Sequence, residues 1–312
     1  MTYSLYWLQA GACSGDSMSL LSAESPDLVE ALGFFGIDVL WHPSLSNISA
    51  WDHENLLAAI LTGKKNLDIL CVEGAAIMGP DNTGMFDTVN GKPKKDLIAA
   101  LAKQAKLVVA VGTCASFGGI PAAGEAAGTG LQFLRREKGG LLGADFKTKS
   151  GLPVINLPGC PSQSDVLLST LAASLSGVDL PLNEFNSPLE WYGVLVHQGC
   201  TRNEYHEYRV EEQDFGEKGC LFFHMGCRGP LVYGPCNKIL WNKRNTKTRI
   251  GVPCFGCASP DFPSRDRFFF TKNIEGVPLT LPEGVERAHY LAYKDMAAVA
   301  APKRLTERKT KV

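Results

Sequence analysis

No stretch of this chain approaches the roughly 18 consecutive apolar residues that a membrane-crossing helix requires; the nearest, Leu107 to Val111, has the length of a buried strand. Charge of one sign is missing too. With 31 basic residues against 32 acidic ones, the electrostatic footprint that nucleic acid or an anionic membrane surface demands is absent. The opening segment MTYSLYWLQA has no basic region, no long apolar stretch and no small-residue cleavage site, and no twin-arginine pair precedes it. Export is therefore not expected; the expectation is a cytoplasmic protein, attached to a membrane only through a partner. Internal repeats and low-complexity tracts are lacking as well.

Cysteine, by contrast, is plentiful. Ten cysteines in a chain without an export signal argue against a disulfide framework and for metal, because the cytosol keeps thiols reduced. Three lie far apart in the first half (Cys13, Cys114, Cys160), six crowd between residues 200 and 257, and Cys71 stands alone. The remaining composition is ordinary, and 312 residues suit two domains.

The first half alternates short apolar runs with helical patterns. Candidate strands are Ser4 to Leu8, Ile37 to Trp41, Leu67 to Val72, Leu107 to Val111 and Val154 to Leu157. The last four are nearly continuous apolar runs, as in strands buried on both faces. Between them, Leu56, Leu57, Ile60 and Leu61, then Leu97, Ile98 and Leu101, fall at helical spacing behind Asp52 and Asp96, which suit helix starts. Strand and helix in alternation predict a parallel, doubly wound α/β sheet, whose ligands collect beyond the carboxyl ends of the strands. Cys13, Cys114 and Cys160 each follow a candidate strand and sit beside glycine or proline, so the fold is expected to bring them to one edge. Asp16 travels with Cys13 in GACSGD. From about Ser187 the texture changes to aromatics, prolines and dense cysteine. The expected division is 1–186 and 187–312, the second part held together largely by whatever its cysteines bind.

That second part carries His197-x-x-Cys200, Cys220 and Cys227 in CLFFHMGCRGP, and Cys236 with Cys254-x-x-Cys257 in PCFGC. PCFGC by itself fits half a zinc ribbon or a redox dithiol. All candidates together, nine cysteines, one histidine and one aspartate, total eleven donors, a sum that suits two four-iron cages and one three-iron cage.

The ordered set GACSGD, VEG at 72–74, GTCASFGGI, NLPGCP, HxxC at 197–200, CLFFHMGCRGP, Cys236 with Trp241-Asn242, and PCFGCASPDF resembles the small, electron-transferring subunit of nickel–iron hydrogenases over nearly the whole chain. The resemblance implies a flavodoxin-like domain followed by an irregular cluster-binding domain. It implies a proximal 4Fe–4S cluster on Cys13, Cys114, Cys160 and the residue at 16. A distal 4Fe–4S cluster falls on His197, Cys200, Cys220 and Cys227, and a medial cluster on Cys236, Cys254 and Cys257. Relatives with a four-iron medial cluster carry an extra cysteine that is missing between Cys236 and Cys254, so a 3Fe–4S cluster is implied there. The resemblance also implies a large-subunit partner bearing the nickel–iron centre, a dimer of such heterodimers, and no catalytic residue on this chain.

Asp16 stands where most such subunits have cysteine, as in the actinobacterial-type, high-affinity branch, which is associated with hydrogen oxidation in air. A carboxylate is a harder, more labile donor than a thiolate. Its plain alternative is an acid in the first turn of a helix, worth roughly 0.3–1 kcal/mol. The activity implied is hydrogen uptake; a hydrogen sensor and a colourless structural zinc protein stand as alternatives. Cys71 reads as a packed strand residue, and Glu73 as part of a proton path or, preferred, as facing the partner subunit. His42, His53, His206, His224 and His289 read as surface or satisfied histidines, with His224 the one to watch. Arg228 suits a sulfur hydrogen bond or a salt bridge, Phe268 to Phe270 core or partner contact, and residues 303–312 a frayed basic tail.

Overall fold

The computed structural model describes residues 2–264 and 267–307. Its contacts group the chain into two units, Met1–Glu190 with Ala258–Pro263, and Trp191–Cys257 with Ser264–Val312.

The first unit is built on β1 (Tyr3–Gln9), β2 (Ile37–Trp41), β3 (Ile69–Glu73), β4 (Leu107–Val111) and β5 (Ile155–Leu157). They form one parallel sheet in the order β2-β1-β3-β4-β5, the flavodoxin-like order expected of the sequence. All five candidate strands exist, and β3 and β4 are buried along their whole length because helices cover both faces. The covering helices include α1 (Gly15–Leu21), α2 (Leu28–Phe35), α3 (Ala50–Leu61), α4 (Lys94–Ala102), α5 (Gly112–Phe117) and α6 (Ser164–Leu175). At α3 the cap is Ser49, whose hydroxyl accepts from the Asp52 N–H; Asp52 itself charges the first turn, and Asp96 does the same in α4. Cys71 is fully buried in β3, as a packing residue.

The second unit has little regular structure. After α7 (Leu189–Tyr192), it contains α8 (Asn203–Glu207), α9 (Arg287–Val299), α10 (Lys303–Thr306) and a two-stranded ladder, Asn273–Ile274 against Val277–Pro278. One apolar cluster among its described residues is Cys220, Phe222 and Phe223, flanked by Tyr205, Cys227 and Tyr290; Val196, Leu221, Met225, Val232 and Val277 are buried as well. The frayed-tail expectation is corrected in part. Residues 303–306 form α10 with Leu305 buried, and Arg304 pairs with Glu204, so a single leucine supplies the anchor that the basic composition hides. Residues 308–312 lie outside the described residues.

Candidate metal centres

The carboxyl ends of β1, β4 and β5 share one edge of the sheet, and the loops after them carry Cys13, Cys114 and Cys160. Two hydrogen bonds tie the β4 and β5 loops one residue short of their cysteines: the Thr113 N–H donates to the Gly159 carbonyl (2.8 Å) and the Gly159 N–H to the Thr113 hydroxyl (2.9 Å). The Asp16 carboxylate joins the same corner. Its Oδ1 accepts from the Ser162 N–H at 2.7 Å, two residues past Cys160. Gly112, at φ 82°, makes room for it, since a Cβ there would lie 2.1 Å from Asp16 Oδ2. Gly119 does the same for Cys114, whose Sγ would be 2.6 Å from an added Cβ.

The alternative for Asp16, a helix-start acid, meets a competitor. The N–H groups of Asp16 and Ser17 donate to Glu73 Oε1 at 3.0 and 3.1 Å, so the carboxylate serving the start of α1 comes from the end of β3. Glu73 is 1% exposed and also accepts from the Trp7 indole and the Ser17 hydroxyl. Its expected role at a partner interface is therefore corrected: the side chain faces the interior of its own unit. Freed from capping, the Asp16 carboxyl turns to the sheet edge, where burial pushes its pKa up to about 7 against the Ser162 hydrogen bond, with the Glu73 charge adding to the rise.

In the second unit the donors fall into two neighbouring cavities. One is lined by His197, Cys200, Cys220 and Cys227. The other is lined by Cys236, Cys254 and Cys257. Val196 and Thr248 belong to both walls. The two sets also touch directly, because the Cys254 N–H donates to Cys227 Sγ at 3.4 Å and the Arg228 N–H donates back to the Cys254 carbonyl at 2.6 Å.

Burial raises the pKa of five of the thiols: Cys227 is pushed up to about 11 and Cys236 to about 12, and Cys114, Cys220 and Cys254 also rise. A buried thiol of this kind becomes a thiolate only beside a strong positive charge such as iron. Donors already aim at the sulfurs: the Arg202 N–H reaches Cys200 Sγ at 3.4 Å, the Phe222 N–H reaches Cys220 Sγ at 3.5 Å, and the Trp241 side chain bonds Cys236. Among the described residues no three His, Cys, Asp or Glu side chains converge closely enough to hold a single metal ion. Soft donors, glycine cradles and inward N–H groups fit a sulfide cage larger than one ion.

Two residues that residue spacing does not reveal also build this region. Arg202, two positions after Cys200, is buried and donates to the carbonyls of Thr248 (2.6 Å), Gly219 (2.6 Å) and Glu217, which fixes the Cys200 and Cys220 loops together. His206, expected to be a surface or satisfied histidine, stands against the distal set: its ring centre is 4.5 Å from that of His197 and its Nδ1 is 3.4 Å from Cys220 Sγ. Burial lowers the pKa of both histidines, that of His206 to about 3 with help from the charges of His197 and Arg209. A charged residue in a turn and a lone histidine on a short helix give no periodic signal. His224 is engaged elsewhere, with Nε2 2.7 Å from Glu211 Oε2. Arg228 donates to the Ser264 hydroxyl, and Phe268 to Phe270 are 43–49% exposed, so the core reading of that run is corrected.

Cysteines at a doubly wound sheet's edge and in a cysteine-rich second unit make this an α/β protein whose donor sets suit sulfur-ligated metal. The family describing the C-terminal part of the NiFe/NiFeSe hydrogenase small subunit matches residues 192–270, and "NADH ubiquinone oxidoreductase, 20 Kd subunit" matches residues 13–174. A hydrogenase small subunit of Methanosarcina mazei is 32% identical over 84% of this chain and 74% of its own length. The periplasmic [NiFe] hydrogenase small subunit 1 of Nitratidesulfovibrio vulgaris is 32% identical over 83% and 79%. Among solved structures, the actinobacterial-type NiFe-hydrogenase of Ralstonia eutropha H16 superposes with a TM-score of 0.78 at 24% identity, covering 96% of this chain and 89% of that one, a likeness of fold. The Ni-Fe-Se hydrogenase of Desulfomicrobium baculatum gives 0.74 at 27% identity, over 87% of this chain and all of that one. The chain belongs to the nickel–iron hydrogenase small subunits, iron–sulfur proteins that transfer electrons for an oxidoreductase whose catalytic site lies on the large subunit. This membership displaces the zinc reading. No helix among the described residues is long and apolar enough to cross a membrane.

Proposed function

We propose that this chain is the electron-transfer small subunit of a hydrogen-oxidising uptake hydrogenase. Cys13, Asp16, Cys114 and Cys160 would hold a proximal 4Fe–4S cluster in the first unit. His197, Cys200, Cys220 and Cys227 would hold a distal 4Fe–4S cluster in the second, and Cys236, Cys254 and Cys257 a medial 3Fe–4S cluster. Bound there, the clusters supply one-electron carriers between the partner's nickel–iron centre and an outside acceptor. The observation that carries the reading is the pair of cavities with a common wall, each lined by one complete donor set and joined by the Cys254 N–H on Cys227 Sγ.

The chain's own residues position and insulate. Arg202 fixes the distal loops, while Asn237 donates to the Val196 carbonyl (2.7 Å) and accepts from the Thr246 hydroxyl (2.8 Å), setting the strip beside Cys236. Val196 and Thr248 keep water out of the wall between the sets, since both are buried. By the resemblance, Asp16 as fourth proximal donor goes with air-tolerant uptake of scarce hydrogen, a carboxylate being a harder and more labile donor than a thiolate. The heterodimer would pair again into a dimer of heterodimers in the cytoplasm.

Metal analysis with paramagnetic resonance on the co-purified complex tests this: about eleven small-subunit irons, plus one nickel and one iron from the partner, are expected. A colourless, iron-free chain would overturn it. Steady turnover with an artificial acceptor separates uptake from sensing, a sensor being much the slower.

A further inference from the structure

We infer that His206 is a positioning residue for the distal centre, donating its Nδ1–H to the Cys220 sulfur and thereby setting the reduction potential at which electrons reach that centre. The inference rests on the distal assignment above. His206 does not line the cavity; it stands behind it, on α8, six residues after Cys200. Its ring lies nearly parallel to that of Phe223 (5.2 Å, 19°), crosses that of Phe222 at 65°, and meets His197 edge to face, so three rings fix its orientation.

The direction of the bond follows from the donor set. A ligating cysteine is a thiolate with no proton to give, so the 3.4 Å contact between Cys220 Sγ and His206 Nδ1 is an N–H···S bond with the imidazole as donor. The same logic assigns the tautomer: Nδ1 carries the proton. Other distal sulfurs take their hydrogen bonds from peptide N–H groups, those of Arg202 at Cys200 and Cys254 at Cys227, which no side-chain change removes. At Cys220 a side chain joins the Phe222 N–H, and this donor is adjustable by substitution.

A hydrogen bond to sulfur stabilises the more negative, reduced state of the centre more than the oxidised one, and so raises its potential. Removing it lowers the potential. His206→Phe keeps an aromatic ring of similar size among Phe222, Phe223 and His197 while deleting the donor; His206→Asn returns an amide N–H near the Nδ1 position.

The test is a redox titration of the purified heterodimer, followed by paramagnetic resonance, with iron measured in each preparation. Expected for His206→Phe is unchanged iron and a reduced-to-oxidised ratio at fixed potential that falls about threefold to tenfold, tenfold being 59 mV for one electron. His206→Asn should recover most of that change. If Phe proves too large to accommodate, His206→Leu gives the donor-free reading against His206→Asn. An unchanged ratio with the distal signal present overturns the inference and leaves the distal assignment intact. Loss of about four irons in both variants overturns it too, by showing that His206 holds the site rather than tuning it. Absence of a distal signal in the unmodified heterodimer instead overturns the assignment, and this inference with it.

Discussion

Leu70, Val72, Val108 and Ala110 lie fully buried between helices at the centre of the first unit, where an apolar cluster runs through most of the sheet and its covering helices. In the second unit regular structure is sparse, and one apolar cluster among its described residues is built on Cys220, Phe222 and Phe223. There, order comes from polar and sulfur contacts: Arg202 on three carbonyls, Asn237 between Val196 and Thr246, and peptide N–H groups on the sulfurs of Cys200, Cys220 and Cys227. The difference sets an expectation: the first unit stands on burial along its sheet, while the second also draws on whatever its cysteines bind. Hydrogen bonds contribute about 1 kcal/mol each net, too little to replace a core. A metal that binds only the folded form contributes its binding free energy directly to folding.

The largest expected effect follows. Stripping iron with a chelator under reducing conditions should abolish amide protection around α8 and residues 220–231 while β1, β3 and β4 keep theirs. Hydrogen exchange on the two preparations decides it. Loss of protection in both units together would break the contrast.

The contrast also explains what can be read from residues alone. Each strand is legible as a short apolar run; β3, β4 and β5, covered on both faces, are buried along their length, while the edge strand β2 leaves Asp38 exposed. The convergence of Cys13, Cys114 and Cys160 on one edge follows from parallel topology, whose strands all end on the same side. Glu73 escapes such reading because no local pattern shows that Trp7 and the start of α1 close over it. In the second unit the ligand spacings are legible, but Arg202 and His206 are not. Their partners, the carbonyls near residues 217–219 and 248 and the sulfur of Cys220, are brought by irregular loops that obey no period. Leu305 is hidden for a similar reason: one apolar residue in a basic stretch carries no pattern, yet it is 5% exposed.

A middle-sized effect sharpens the comparison from the side of the sheet. Leu70→Ala empties a fully buried position in β3 and should cost the first unit about 2–5 kcal/mol in urea unfolding followed by circular dichroism. Phe222→Ala, also buried, should register differently, as lower iron occupancy of the second unit, because the folding of that unit and the binding of its metal are one equilibrium. Equal behaviour of the two variants in both measurements would argue that the units do not differ in what holds them.

The smallest effect concerns Asp16, the proposed fourth proximal donor. In the iron-free chain, burial holds this carboxyl at about 7, above the ordinary value of about 3.9. Folded and unfolded forms are both protonated well below pH 4, so Asp16 then has no influence on stability. As pH rises from about 4 to 7 the unfolded chain ionises first, and the folded state loses ground until both are ionised above about 7. The iron-free sheet unit should thus be more stable at pH 5 than at pH 8 by on the order of 1–3 kcal/mol, the lower figure applying where solvent reaches the carboxyl. Asp16→Asn, which cannot ionise, should flatten that slope in urea titrations at the two pH values. On the proposed ligation, iron would hold the carboxylate ionised, so in the loaded heterodimer the slope should vanish while Asp16→Asn alters the proximal signal. A slope that survives Asp16→Asn unchanged would place its origin in other groups and leave Asp16 without the desolvated carboxyl on which its role as a fourth donor depends.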